Sequence, residues 1–400
     1  MNKYIILSIS GLCILLAQQQ VTAQNDIEFG FWANQTSNVI DASFMNTLGA
    51  GGFISAEDLD PVLFAHAGEN GYLGVNAGVE YKWITPREED TPWSTCGSLG
   101  SELIVDTRWT SDLFELIWYG NAGHTGRVDV LSGSGARAGV FNRLSLGGFN
   151  HDTKQRIEVS LVQRSMGAEW SLPYGYLYVS ENADSLDSYM QTEARIHADE
   201  DGNFISSYGI GLSGSFPLES EELPLDFIVE FKDIGILSEN AGSRVYWIND
   251  GIETTGLPVL GDSLTWESLV DGGLSADSVL MTGESISRSV LLPAKFAVSA
   301  NYELSSNFDL RAKFVSGGWM PEPLIAGGFA WDVTEDFELG LELRDGGWGN
   351  RRFAVWTKVN VSEKKRVYIN FESPLGYFIT SNFAQETTCR GVSFRLEKRN

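Results

Sequence analysis

The chain lacks any long apolar run beyond its first residues. No stretch of 18 apolar residues follows position 24, which excludes membrane-spanning helices, since these need about 20. Basic residues are scarce, 28 Lys and Arg against 53 Asp and Glu. A net charge of −25 argues against a nucleic-acid partner, which requires a basic face. Proline is sparse, 11 in 400 residues, and only 4 histidines are present. The four, His66, His124, His151 and His197, are scattered, and no His-x-x-x-His pair offers zinc spacing. Of 3 cysteines, Cys13 lies in the N-terminal apolar run, leaving Cys96 and Cys389. Their pairing stays open at this level.

What is present is apolar and aromatic: 43% hydrophobic and 12% aromatic residues, with 43 glycines. That is too apolar for a disordered acidic chain. Lys3, the apolar run Tyr4 to Ala17 and the small-residue site Val21-Thr22-Ala23 have the layout of a secretory signal peptide over residues 1–23, with cleavage near Ala23. An exported chain without apolar helices is either soluble outside the inner membrane or a transmembrane β-barrel.

Alternation fits both, a sandwich whose polar face meets water and a barrel whose polar face lines the lumen, and the pattern of link lengths favours the barrel. Phe337-Glu338-Leu339-Gly340-Leu341-Glu342-Leu343 and Phe308-Asp309-Leu310-Arg311-Ala312-Lys313-Phe314 place apolar and polar side chains on opposite faces. Strands are expected at Ala294 to Leu304, Phe308 to Val315, Pro323 to Trp331, Phe337 to Leu343, Phe353 to Val359, Val367 to Phe371 and Val392 to Leu396. Phe227 to Ile236 should pair with Tyr208 to Phe216, and Arg156 to Val162 with Val140 to Phe149. Tyr72 to Ile84 is a further strand. Short links such as Ser305-Ser306-Asn307 alternate with longer ones such as Ser316 to Glu322, Arg344 to Arg352 and Glu372 to Arg390, as in a membrane meander. Asn360 to Arg366 is of moderate length. These features predict an all-β antiparallel transmembrane β-barrel of about 14 strands, between 12 and 16. The barrel is expected over residues 64–400. Residues 24–63, poorly alternating, are expected as a luminal plug. Tyr81, Trp83, Trp93, Trp109, Trp118, Tyr119, Trp319, Trp331, Trp348 and Trp356 fall near strand ends, as interfacial girdles would.

No catalytic, cofactor or metal residue is nominated, and the chain reads as a non-enzyme. Gly133-Ser134-Gly135 is not a nucleophile elbow. Gly120 to Gly126 lacks the Lys-Ser/Thr of a phosphate loop and follows a short amphipathic stretch, Asp112 to Tyr119. Asp199-Glu200-Asp201-Gly202-Asn203 lacks the later glutamate of a calcium loop and reads as a hairpin turn. Leu237 to Leu292 is the longest irregular segment, with a short helix expected over Asp262 to Leu274.

Several short patterns together resemble a Bacteroidota-type family of outer-membrane barrels of unknown function, distantly similar to the long-chain fatty-acid transporter barrels. They are Tyr119-Gly120-Asn121 with Gly126, Phe141-Asn142-Arg143-Leu144-Ser145-Leu146-Gly147, Asp233-Ile234-Gly235-Ile236, and Leu292-Pro293-Ala294-Lys295 leading into Asn301-Tyr302-Glu303-Leu304. The chain departs from such barrels where Ile40-Asp41-Ala42 stands for Asn-Pro-Ala and where it ends Lys398-Arg399-Asn400. The resemblance implies location and architecture and no catalytic residues. The expected function is passive passage of a small or hydrophobic solute across the outer membrane. The alternatives are a non-transporting scaffold for a secretion or motility complex and a soluble secreted β protein. Expected partners are outer-membrane lipid, the barrel assembly machinery, a solute and a protein partner. Net acidity leads to an expected preference for cations in any open pore.

Overall fold

The computed structural model describes residues 25–41, 44–47, 51, 53–66, 70–120, 123–197, 207–219, 224–239, 243–255, 284–285, 287–374 and 389–399. The expected signal segment, the expected turn at Asp199 to Asn203 and the expected helix at Asp262 to Leu274 lie outside them.

Fourteen antiparallel strands close on themselves. In order around the wall they are β1 (Asp26–Ser37), β2 (Gly71–Ile84), β3 (Trp93–Trp109), β5 (Ser134–Asn150), β6 (Arg156–Val179), β8 (Ser207–Glu219), β9 (Leu225–Glu239), β13 (Lys295–Ser305), β14 (Phe308–Gly317), β15 (Leu324–Thr334), β16 (Phe337–Gly346), β17 (Gly349–Ser362), β18 (Lys365–Glu372) and β19 (Cys389–Lys398). The seam is the β1–β19 ladder, from Ile27 opposite Lys398 to Thr36 opposite Cys389. Closure satisfies every edge, which a strand in lipid requires.

Burial is inverted relative to a soluble protein. Leu144 and Leu146 are exposed, whereas Arg143 and Ser145 are buried; Val159 and Leu161 are exposed, whereas Glu158 and Ser160 are buried. One face of each strand carries aliphatic and aromatic side chains outward, and the other lines a charged lumen. In water that exterior would be a very large apolar patch; in a bilayer it is the lipid-facing surface of an outer-membrane barrel.

The rims sort as expected. Links 306–307, 335–336, 363–364, 151–155 and 85–92 occupy one rim, with both ends of the described chain. The other rim carries 38–70, 110–133 and the connections through β7 (Ser185–His197) and β10 (Arg244–Thr255). We call these the inner and outer rims. Two links differ from expectation. Gly346 and Gly347 adopt positive φ, 83° and 76°, so the segment expected as a loop over Arg344 to Arg352 is a tight hairpin between β16 and β17. The segment Asn360 to Arg366 is nearly all strand. Charged lumen-facing side chains hid these strand ends from the apolar pattern.

The N-terminal segment also differs. Residues Asp26–Ser37 form a wall strand paired over its length with β2 and β19, so the wall begins at Asp26 and not at residue 64. Its outward residues Phe29 and Phe31 alternate with Glu28 and Gly30, a pattern diluted by Thr36, Ser37 and Asn34. After β1, helix α1 (Ala56–His66) packs against helix α2 (Ser111–Tyr119), with Val39, Ile40, Phe44, Leu59, Val62 and Phe114 forming their core. Helix α2 fulfils the amphipathic expectation. Thr110 caps it by accepting from the Leu113 N–H at 3.2 Å, and it ends at Gly120 with φ 72°. Asp58 closes the start of α1 by accepting from both the Ser55 N–H at 2.9 Å and the Ser55 hydroxyl at 2.7 Å, and these hydrogen bonds lower the pKa of its carboxyl.

Strand β6 outlasts its barrel partner β8. Its first half pairs with β8, and its second half, from Gly167, pairs with β7, which pairs with β10. The short strands β4 (Val128–Val130), β11 (Glu284–Ser285) and β12 (Ser289–Leu291) add to β6, β10 and β9. The result is a fin of sheet standing above the outer rim.

Candidate functional site: a layered lumen

From the outer mouth inward the lumen has an apolar layer. Ile104, Phe141, Val162, Leu237, Leu292 and Trp348 form it, with Trp319 and Met320 packed against them. Trp319 and Trp348 come from links that fold inward. The Trp348 indole donates to Asp106 Oδ1 at 2.8 Å, and Gly74 makes room for it, because a Cβ there would lie 2.0 Å from the ring. Arg137 stacks over Trp319 at 4.9 Å and pairs with Asp106 at 2.9 Å. Trp319 and Trp348 thus bring outer-rim links into a layer otherwise made largely by wall strands.

Below it sits a charged layer. A bulge in β9, where the register shifts opposite Leu212 and Gly214, turns Lys232 and Asp233 to the same side. Asp233 takes φ 60°, and its N–H is received by Ser213 Oγ at 3.1 Å. Arg143, on the far side of the β5–β9 sector, grips both Asp233 oxygens at 3.0 and 2.7 Å and reaches Glu102 at 3.0 Å. Glu102, 2% exposed, also receives Lys295 at 2.6 Å and Asn76 at 2.7 Å. Such a charge is tolerable out of water only because it is paired this fully.

Two cavities lie in this region. One of about 280 Å³ is lined by Lys82, Arg143, Arg156, Lys232, Lys295 and Lys313 against Glu80, Glu158, Glu230 and Asp233. The other, about 720 Å³, is lined by Trp32, Trp356 and Tyr368 with Glu28, Glu342, Arg311, Arg344 and Arg395. Arg311 lies over Trp356 at 4.3 Å and Arg395 over Tyr368 at 4.0 Å. The linings of these two cavities do not carry the acid excess of the whole chain.

The aromatic set divides. Tyr81 and Trp83 stack at 6.1 Å near the inner rim, and Trp331 stacks with Phe308 at 6.0 Å; with exposed Trp93 they form an outward inner-rim girdle. Trp319, Trp348 and Trp356 face the lumen, and Trp109 and Trp118 pack on α1 and α2. Trp319 and Trp348 sit on inward-folding links and Trp356 points inward from within β17, so closeness to a strand end does not by itself place an aromatic at an interface. Tyr119, at the end of α2, donates to Asp60 of α1 at 2.8 Å; desolvation and that carboxylate push its hydroxyl up to about 12.

Cys96 and Cys389 are both free and buried. Cys96 lies near the inner-rim start of β3; Cys389 opens β19 at the outer rim, 3.2 Å from Thr36 Oγ1 and 3.1 Å from Glu372 Oε2. Opposite rims keep them apart.

His197 was given no role in sequence. It lies between Glu169 and Glu239, the one group of potential metal ligands that close among the described residues. His151 shares a 2.8 Å hydrogen bond with Ser94; the Ser94 hydroxyl donates to the Pro86 carbonyl at 2.9 Å, so the pair ties the inner rim and does not activate a nucleophile.

No protein-family model matches the chain, and no curated protein matches it. Among solved structures, the TodX deltaS2S3 mutant monoaromatic hydrocarbon channel matches at 9% identity and TM-score 0.46, covering 95% of this chain and 91% of that one. A Pseudomonas aeruginosa FadL homologue matches at 9% identity and TM-score 0.43, covering 94% and 90%. The Pseudomonas putida toluene transporter TodX matches at 8% identity and TM-score 0.40, covering 95% and 90%.

Proposed function

We propose that this barrel passes a small solute with an apolar body across the outer membrane. The observation carrying this is the stacking of the apolar Trp319–Trp348 layer directly above the two luminal cavities. An apolar body is favoured by the first layer, about 25 cal/mol for each Å² it buries, and the cavities below admit only small molecules. The charged layer supplies selectivity by demanding that any arriving group match or displace its ion pairs. Export through residues 1–23 with cleavage near Ala23, insertion by the barrel assembly machinery and contact with outer-membrane lipid belong to the same proposal. No nucleophile or acid–base constellation lines the described lumen, and a passive conduit is the reading it supports.

The test is uptake into liposomes carrying the purified full chain, comparing small aromatic or aliphatic solutes with sugars of equal size. Faster entry of the apolar solutes supports the proposal; equal rates, or rates equal to empty liposomes, overturn it. The scaffold reading is favoured by one observation, the fin and its exposed Trp170, Tyr174, Met190 and Trp247. A stoichiometric partner crosslinked to the fin, with no solute flux, would move it to first place.

A further inference from the structure

Helices α1 and α2 pack on each other, yet their shared core uses few of their apolar side chains. Helix α2 carries Leu113, Phe114, Leu116, Ile117, Trp118 and Tyr119, and of these only Phe114 is buried. Ile117 is 65% exposed, and on α1 Phe64 is 85% exposed. Phe64 lies two residues from both Val62 and His66, which face the core, and so stands on the opposite side of α1. A helix that is apolar around most of its circumference needs cover on more than one side. The carboxylates beside this surface are already committed within the chain. Asp112 receives the Val130 N–H at 2.7 Å, Glu115 pairs with Arg127 at 2.7 Å, and Asp60 receives the Tyr119 hydroxyl at 2.8 Å.

The mounting of the pair decides what can cover it. Strand β2 alternates, so Gly71, Leu73, Val79 and Tyr81 share the side opposite Gly74, Glu80 and Lys82. Gly74 receives the luminal Trp348, and Glu80 and Lys82 line the smaller cavity. Gly71 therefore faces outward with Tyr81. Its ladder partner is Trp109 of β3. A Cβ on Gly71 would lie 2.4 Å from the Trp109 ring and 2.6 Å from the His66 ring. The Trp109 indole donates to His66 Nε2 at 2.9 Å, and the His66 and Phe114 rings lie 5.1 Å apart. The pair is thus attached to the outward face of the wall.

The height agrees. Tyr81, in the inner girdle, and Gly71 are ten residues apart on β2. At about 3.3 Å each and a tilt near 40°, ten residues climb about 25 Å, the height of the apolar band of an outer-membrane barrel. Gly71, Trp109 and His66 stand at the outer edge of that band, and the open faces of α1 and α2 continue it.

We propose that the α1–α2 pair docks on the bilayer: Phe64 of α1 and Leu113, Leu116 and Ile117 of α2 rest in the outer leaflet at the boundary of its acyl chains, as the apolar face of an interfacial helix does. The occupant is lipid because the patch is continuous with the lipid-facing wall and is carried on its outward side. The pair holds the outer rim at a fixed depth, whether or not the lumen conducts.

The test is spin-label accessibility on the full chain in phosphatidylcholine nanodiscs, with nitroxides attached at Phe64→Cys and Ile117→Cys. Cys96 and Cys389 are buried, and the unsubstituted protein measures any label they take. Oxygen concentrates in lipid and a polar nickel chelate in water, so the two collision rates locate each label. Both sites should match Leu161→Cys on the wall, with oxygen collisions raised and nickel collisions lowered relative to Glu88→Cys in the exposed 85–92 link. Cold SDS mobility verifies that each variant is closed. Gly71→Ala, which crowds the Trp109–His66 mount, should move both labels toward water and leave Leu161→Cys unchanged. Water-like rates at either site in the otherwise unaltered chain would overturn the docking. Labels that stay in lipid in Gly71→Ala would overturn the outward mount. Shielding from both reagents, with spin–spin broadening between molecules, would overturn it in favour of a second copy of this chain.

Discussion

Arg143 and Asp233 meet through two contacts, 3.0 and 2.7 Å, with both side chains more than nine-tenths buried. The β5 and β9 strands that carry them are not neighbours; β6 and β8 lie between. The pair exists because a bulge turns Asp233 inward beside Lys232. Asp233→Asn leaves Arg143 with Glu102 alone. Removing one member of such a pair should cost about 3–5 kcal/mol, read as a lower urea midpoint in detergent. Arg143→Met with Asp233→Leu should recover most of that loss. A double variant as weak as the single would show that the pair is not the source of the effect.

Trp348 is seated on β2 at a spot that a single methyl group would disturb. Gly74→Ala should expel the Trp348 ring from its seat on β2 and raise single-channel conductance, and Trp348→Ala should raise it without changing Gly74. Combining the two should give no more than Trp348→Ala alone. Unchanged conductance in all three would place the barrier elsewhere.

Six cations and four carboxylates line the smaller cavity. Reversal potentials in a salt gradient should show little preference or a mild one for anions. Lys313→Glu should shift them toward cations. Strong cation selectivity in the unaltered protein would contradict the lining.

The exterior should behave as lipid-facing surface. Leu161, 63% exposed on the outer face of β6, becomes costly to charge: Leu161→Arg should destabilise the barrel by about 2–4 kcal/mol if it sits near the bilayer midplane. Lys313→Gln, on the luminal face, should cost far less. A cold SDS sample of the unaltered protein should run apart from the boiled one, and the Leu161→Arg band should lose that shift first.

The two cysteines should be silent. Maleimide should label Cys96 and Cys389 only after boiling, and reducing agent should leave mobility unchanged. A reductant-sensitive shift would require the rims to approach each other.

The sequence by itself determined the class, the strand count and the face each strand turns to lipid. These are local properties, written as period-2 alternation in pieces such as Phe337 to Leu343, and a closed sheet is the one way such pieces satisfy their backbone in a membrane. It also sorted short links from long ones, except at Arg344 to Arg352, where Gly347 and Trp348 make a two-residue turn, and at Asn360 to Arg366, which is nearly all strand. It placed β1 in a plug because Asn34, Thr36 and Ser37 mask the alternation that Phe29 and Phe31 carry. Only the tertiary structure decided what fills the lumen. Trp348 on Asp106, Arg143 on Asp233 and His197 between Glu169 and Glu239 join residues far apart in the chain. Their contacts depend on closure, on one bulge and on inward-folding links. Alternation records which face a side chain occupies and carries no information about what stands across the barrel from it.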